Sequence, residues 1–136
     1  MPKPFLLSLA LLAAASVAEA SSIRASVFES RYREAQAHLS TAEGTVFDGA
    51  LAQAFDGVLV RASVDACVKN NPGAPALHGY FEFLAPTAYQ VELRPAGPFA
   101  ACMERALEDR HLPEPPRVPY RNPFTITPGH DASNGG

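Results

Sequence analysis

Leu77-His-Gly-Tyr-Phe-Glu-Phe-Leu-Ala85 is the stretch on which the fold turns. Leu77, Gly79, Phe81 and Phe83 alternate with His78, Tyr80, Glu82 and Leu84. That is the period of an extended chain, whose successive side chains point to opposite faces. Pro86-Thr87 turns the chain, and Ala88 to Arg94 alternates again, with Tyr89, Val91 and Leu93 on one face and Gln90, Glu92 and Arg94 on the other. The two runs predict an antiparallel hairpin with one buried face.

Downstream, Pro95-Ala-Gly97-Pro98 opens a helix, with Pro98 suited to the first turn, where a missing N–H costs nothing. Phe99, Cys102, Met103, Ala106 and Leu107 form its apolar stripe, and Leu112-Pro113 closes it. Six of the thirteen prolines fall between Leu112 and Pro128. A strand-like end survives among them in Val118, Tyr120, Phe124 and Ile126. Pro119 and Pro123 lie four apart, so in a regular strand they remove N–H groups from the same side. The other side, at Tyr120, Asn122 and Phe124, can still pair. An edge strand with one blunted side is expected.

Upstream of the hairpin, Val27, Phe28, Tyr32, Ala35 and Leu39 recur at helical spacing and predict a polar amphipathic helix over Ser21 to Ser40. Ser40-Thr41-Ala42-Glu43 fits a capping box for a second helix that runs to about Asn70, where Asn70-Asn71-Pro72-Gly73 stops it. Its first half presents Phe47, Leu51, Phe55, Val58 and Leu59 to the core, and its second half Val60, Val64, Cys67 and Val68. The two stripes do not coincide on an ideal wheel, and Gly57 lies between them. Either the helix bends near Gly57 or it is buried over a wide face.

The order helix, helix, strand, strand, helix, strand predicts an α+β fold: a small antiparallel three-stranded sheet, hairpin plus edge strand, packed against two helices, with an extra N-terminal helix. Met1 to Ala20 has the order of a secretory signal peptide: Lys3, an apolar run from Phe5 to Ala18, and Ala18-Glu19-Ala20 as a small-x-small cleavage site. Cleavage after Ala20 and a periplasmic or secreted location are expected. The apolar run is shorter than the ~20 residues of a spanning helix, so no stable membrane span is expected after cleavage. An uncleaved anchor is the alternative. The predicted divisions are the signal peptide 1–20, the amphipathic helix 21–40, the α+β domain 41–128 and a disordered polar tail 129–136.

A net charge of −3 supplies no basic face for nucleic acid. Cys67 and Cys102 are the two cysteines, and in an oxidising compartment they are expected to pair. Such a bridge would contribute ~4 kcal/mol on the chain-entropy estimate.

The chemistry-bearing residues read blandly. His38, His78, His111 and His130 lack metal-ligand spacing; His38 is expected on a solvated helix and His130 in the tail, while His78 and His111 can meet in space. Glu82 and Glu92 can face each other across the hairpin, as a carboxylate pair for glycosidic chemistry requires, although carboxylates on a strand surface are usually solvated. No nucleophile elbow and no phosphate loop is present. Neither an enzyme nor any metal or cofactor is predicted.

From about Val60 onward the pattern resembles the C-terminal domain of TonB and TolA proteins. The matching stretches are Cys67-Val-Lys-Asn-Asn71 at a helix end, Leu77-His-Gly-Tyr-Phe-Glu-Phe83 and Tyr89-Gln-Val-Glu-Leu93 in the hairpin, Cys102-Met-Glu-Arg-Ala-Leu107 in the next helix, and Leu112-Pro-Glu-Pro-Pro116 with Pro119-Tyr-Arg-Asn-Pro-Phe-Thr-Ile126 at the end. The resemblance covers about residues 60–128. It implies a helix, hairpin, helix, proline-rich turn and last strand in that order, and some such domains carry a cysteine on each helix. It implies binding to an envelope or periplasmic protein by addition of an extended peptide to the last strand, here with Arg121, Thr125 and Thr127 as the remaining donors. The chain lacks the long Pro/Lys/Glu linker of a force-transmitting transducer, so a free-standing domain is expected. The alternative is a small periplasmic ligand carrier or hydrolase with a pocket between hairpin and helices, which convergence of His78 and His111 in a deep apolar pocket would favour.

Overall fold

The computed structural model describes residues 8–129, and of residues 8–16 and Val58 the backbone only. The beginning of the predicted signal peptide and the tail with His130 lie outside the described residues. Helix α1 spans Ser8–Leu39, α2 Ala42–Phe55 and α3 Val58–Asn70; strands β1 (Leu77–Ala85) and β2 (Ala88–Arg94) follow, then α4 (Pro98–Leu107) and β3 (Tyr120–Ile126). The sheet is antiparallel in the order β2-β1-β3. This is the predicted α+β class, and both hairpin strands have the bounds that the alternation marks out.

The register puts Phe81 opposite Val91 on one side and Asn122 on the other, and Phe83 opposite Tyr89 and Tyr120. The face they share is buried under α2, α3 and α4, in a core that includes Phe47, Leu51, Cys67, Phe81, Leu93 and Met103. Gly79 on β1 is required by close approach: a Cβ there would stand 1.9 Å from the Glu92 carbonyl oxygen.

Expectation and structure differ most on the other face. The alternation predicts one buried face and leaves Glu82 as a solvated strand-surface carboxylate, yet Glu82 is 3 % exposed, and Tyr80 beside it, an aromatic whose residue type favours the core, is 1 % exposed. The reason is α1, which lies across this face and forms a second, smaller core from Phe28, Ala35 and Tyr80, with Tyr32 against it. Phe28 stacks on Tyr80 with ring centroids 5.5 Å apart, and the Arg94 guanidinium sits 4.7 Å above the Phe28 ring. The molecule is therefore three-layered: α1, the sheet, then α2 to α4.

The helix predicted from Ser40 to Asn70 is two helices. Asp56-Gly57 breaks it, and Gly57 becomes the N-cap residue of α3. The break turns Val60 inward and leaves Leu59, expected in the core, 76 % exposed. The cap of α2 also sits one residue later than the predicted box. Thr41 Oγ1 accepts from Gly44 N–H at 3.0 Å, and its own hydroxyl donates to the His38 carbonyl, so one side chain ends α1 and starts α2. The two helices touch so closely that a Cβ on Gly44 would lie 1.9 Å from the His38 oxygen.

Cys67 on α3 and Cys102 on α4 form the predicted disulfide, with Cα atoms 5.7 Å apart. Tyr89 reaches from β2 to the end of α4, where its hydroxyl donates to the Leu107 carbonyl at 2.6 Å and accepts the Arg110 N–H at 2.9 Å. Burial pushes its phenol pKa up. No described helix is long and apolar enough to cross a membrane.

Candidate functional site

Two places can recognise something: the outer edge of β3 and a cavity beside it. The sequence singles out the edge through its two prolines. β3 pairs with β1 from Tyr120 to Ile126. Its Arg121 N–H points away from β1 and donates to His38 Nδ1 at 3.2 Å; the same nitrogen lies 3.0 Å from the Arg121 carbonyl oxygen. Either neutral tautomer of His38 thus occupies one edge group, accepting the N–H or donating to the carbonyl. Alternation along the strand then turns the backbone groups of Pro119, Pro123 and Thr125 outward as well. Both prolines lack an N–H. The edge is closed from Pro119 to Pro123 and opens at Thr125, whose residue is exposed.

Among the three expected donors, Arg121 is therefore engaged within the chain, Thr125 lies on the open stretch, and Thr127 lies just past the end of β3. His38, expected to be solvated, is part-buried instead. Its ring stacks on Tyr120 at 4.7 Å, and Tyr120 meets Phe47 edge-on at 5.3 Å. Burial pushes the Tyr120 phenol pKa up.

The Arg121 side chain is the hub of the layer between α1 and the sheet. Its Nε donates to Glu82 Oε2 at 2.6 Å, a second guanidinium nitrogen lies 2.5 Å from the same oxygen, and its third reaches Glu34 on α1 at 2.5 Å. Gln90 donates to the other Glu82 oxygen at 2.8 Å. Glu82 thus has a cation and a neutral donor, which is what allows a carboxylate to be buried. It does not face Glu92, the arrangement that a carboxylate pair would need. The register sets Glu82 opposite Gln90, and Glu92 opposite Tyr80. The Tyr80 hydroxyl donates to Glu92, and burial first, then this carboxylate, pushes its phenol pKa well up.

The cavity has a volume of about 400 Å³, within the range of small-molecule sites. It opens between α2, α3 and the core face of the sheet, with Leu51, Phe55, Val64, Phe81, Leu107 and Phe124 among its walls. Asp48 and Asn122 also line it. Asn122 is 1 % exposed; its amide nitrogen donates to Asp48 Oδ1 at 2.8 Å and to the Pro123 carbonyl at 3.3 Å, while its Oδ1 has no hydrogen-bond partner among the described residues. An unsatisfied buried acceptor costs about 1–3 kcal/mol.

His78 and His111 do not converge on this space. His78 stands at the start of β1 under α1, with Phe28 and Tyr32 against its ring and Glu29 at 3.8 Å. His111 is exposed and lines a smaller pocket at the hairpin end, beside Phe83 and Thr87. The sequence carries a sign of the blunted edge in its two prolines. It carries none of the His38 contact, which joins residues 83 positions apart. Comparison with protein-family models finds no match, and neither the curated proteins nor the solved structures yield one.

Proposed function

We propose that the chain is an exported, disulfide-stapled protein-interaction domain of the TonB/TolA C-terminal kind and not an enzyme. On this reading it binds an envelope or periplasmic protein by pairing an extended segment with the end of β3. The observation that carries the reading is the split edge of β3: two prolines and His38 shut its first half, and no backbone or side-chain group among the described residues pairs with its outer side at Thr125. Strand addition needs consecutive unpaired main-chain groups, so the partner segment would register on Thr125 and Thr127 and not on Arg121. The element order from α3 to β3 supports the same reading, since it is the order that the resemblance implies.

The test is site-specific photocrosslinking in the periplasm of a producing cell, with the crosslinker at Thr125, at Thr127 and, as a control, at Arg105 on the wet side of α4. One partner captured from the first two positions and not from the third is expected. Peptide from that partner should then shift the amide resonances of Thr125 and Thr127. Unshifted amides would exclude strand addition.

A further inference from the structure

The cavity between α2, α3 and the sheet has an asymmetry that the strand-edge reading does not use. Its walls are apolar, and of the polar groups that border it from α2 and β3, Asp48 and the Asn122 amide oxygen are acceptors, while Thr125 adds a hydroxyl that can donate or accept. Both amide N–H groups of Asn122 are committed, one to Asp48 and one to the Pro123 carbonyl. That fixes the orientation of the amide, because a flip would set its oxygen against the Asp48 carboxylate. Among the described residues, Asn122 Oδ1 is left as a buried acceptor without a partner. Asp48 accepts from Asn122 through one oxygen. On the α3 side, Asp65 adds a second negative charge, and the Arg61 guanidinium is paired with Asp56. A ligand that suits this lining must bring hydrogen-bond donors and would gain from a positive charge, whereas a carboxylate would meet Asp48 and Asp65.

We propose that this cavity binds a small apolar amine, with its hydrocarbon body against Leu51, Phe55 and Phe124 and its ammonium group at the end bounded by Asp48 and Asn122. An ammonium group offers three donors and no acceptor. Charge-assisted bonds to a carboxylate are about twice as strong as neutral ones.

Three probes of equal bulk separate the alternatives: naphthylethylamine, the neutral naphthylethanol and the anionic naphthylacetate. Each is titrated near neutral pH into the full chain, with the Asn122 side-chain amide followed by NMR and affinity by calorimetry. The amine is expected to bind roughly tenfold or more tightly than the alcohol, and the acid most weakly. Asp48→Asn should remove the preference for the amine while leaving alcohol binding within about threefold. Asp65→Asn, at the other side of the opening, should change amine binding far less. Filling the space with Val64→Trp should abolish binding of all three, with circular dichroism confirming the fold. Equal affinity for amine and alcohol, tightest binding of the acid, or no saturable shift at Asn122 with any probe would each overturn the proposal. The comparison in the unaltered protein decides this even if a variant fails to fold. Thr125 also borders the cavity, so the strand-edge reading is reported separately by the Thr127 amide and by the crosslinks.

Discussion

Removing the Arg121 guanidinium should cost this domain more than any other single charge. Arg121 is only 13 % exposed at its side chain, and it is the cation that holds Glu82, whose side chain is 4 % exposed. Arg121→Ala leaves that carboxylate buried with Gln90 as its remaining partner. Stripping one partner from a buried pair costs ~3–5 kcal/mol, because the surviving charge stays desolvated. Out of a total of ~5–15 kcal/mol for a domain, that is a large fraction. At about 4 °C per kcal/mol it corresponds to a drop in Tm of roughly 12–20 °C. Glu34→Ala removes the other carboxylate at Arg121, but Glu34 is half-exposed, and a pair of that kind contributes only ~0.2–1 kcal/mol. The double variant Glu82→Leu with Arg121→Met exchanges the pair for apolar side chains beneath α1 and should recover much of the loss. Urea unfolding monitored by circular dichroism gives the free energies, and the cycle gives the coupling. If Arg121→Ala falls within 1 kcal/mol of wild type, or if Glu34→Ala costs as much, the ion pair does not govern this layer.

Other substitutions probe separate links. Gly79→Ala drives a methyl into the Glu92 carbonyl, a backbone atom that β1–β2 pairing holds in place, so the variant should lose at least 3 kcal/mol or fail to fold; a normal melting curve would contradict the register. Replacing both cysteines by alanine should lower stability by about 4 kcal/mol, since the bridge spans 35 positions, and an unchanged urea midpoint would contradict that. Burial raises the Glu104 pKa above its ordinary value of 4.5, although its Oε1 accepts the Leu93 N–H at 2.9 Å. A raised carboxyl pKa means that the folded state holds the proton more tightly than the unfolded chain. Its contribution is full below the unfolded pKa and is lost as pH climbs through the folded one. Glu104→Gln keeps an acceptor for Leu93, so it should flatten that decline above about pH 4.5 and leave the protein at least as stable at pH 7; a less stable variant at pH 7 would reverse the sign.

The parts of the fold that local chemistry dictates were legible in the sequence. The hairpin is bounded by its own alternation and by Pro86-Thr87, α4 by Pro98 and Leu112-Pro113, and the pairing of Cys67 with Cys102 by there being two cysteines. What needs a distant partner was not legible. Glu82 read as a solvated carboxylate, and the hairpin as having one buried face, because nothing near it in sequence announces α1 as a cover. Glu82 is buried on account of Arg121, 39 positions away, and neither residue reads as a core residue alone. Leu59 sat on an apolar stripe that held only if one helix continued through Gly57. The break moved it to solvent and helped to open the cavity that Val60 and Val64 line. Of the candidate edge, Pro119 and Pro123 showed the blunting in advance, whereas the closure by His38 rests on a contact that no local pattern encodes.

Hydrogen exchange at individual β3 amides, in the protein and in a His38→Ala variant, tests the split edge most directly. With His38 Nδ1 as the acceptor of the Arg121 N–H, the Arg121 amide is expected to be slow, the Thr125 amide fast, and Arg121 protection lost when the imidazole is removed. Equal protection at the two positions, or an Arg121 amide indifferent to His38, would contradict the split edge.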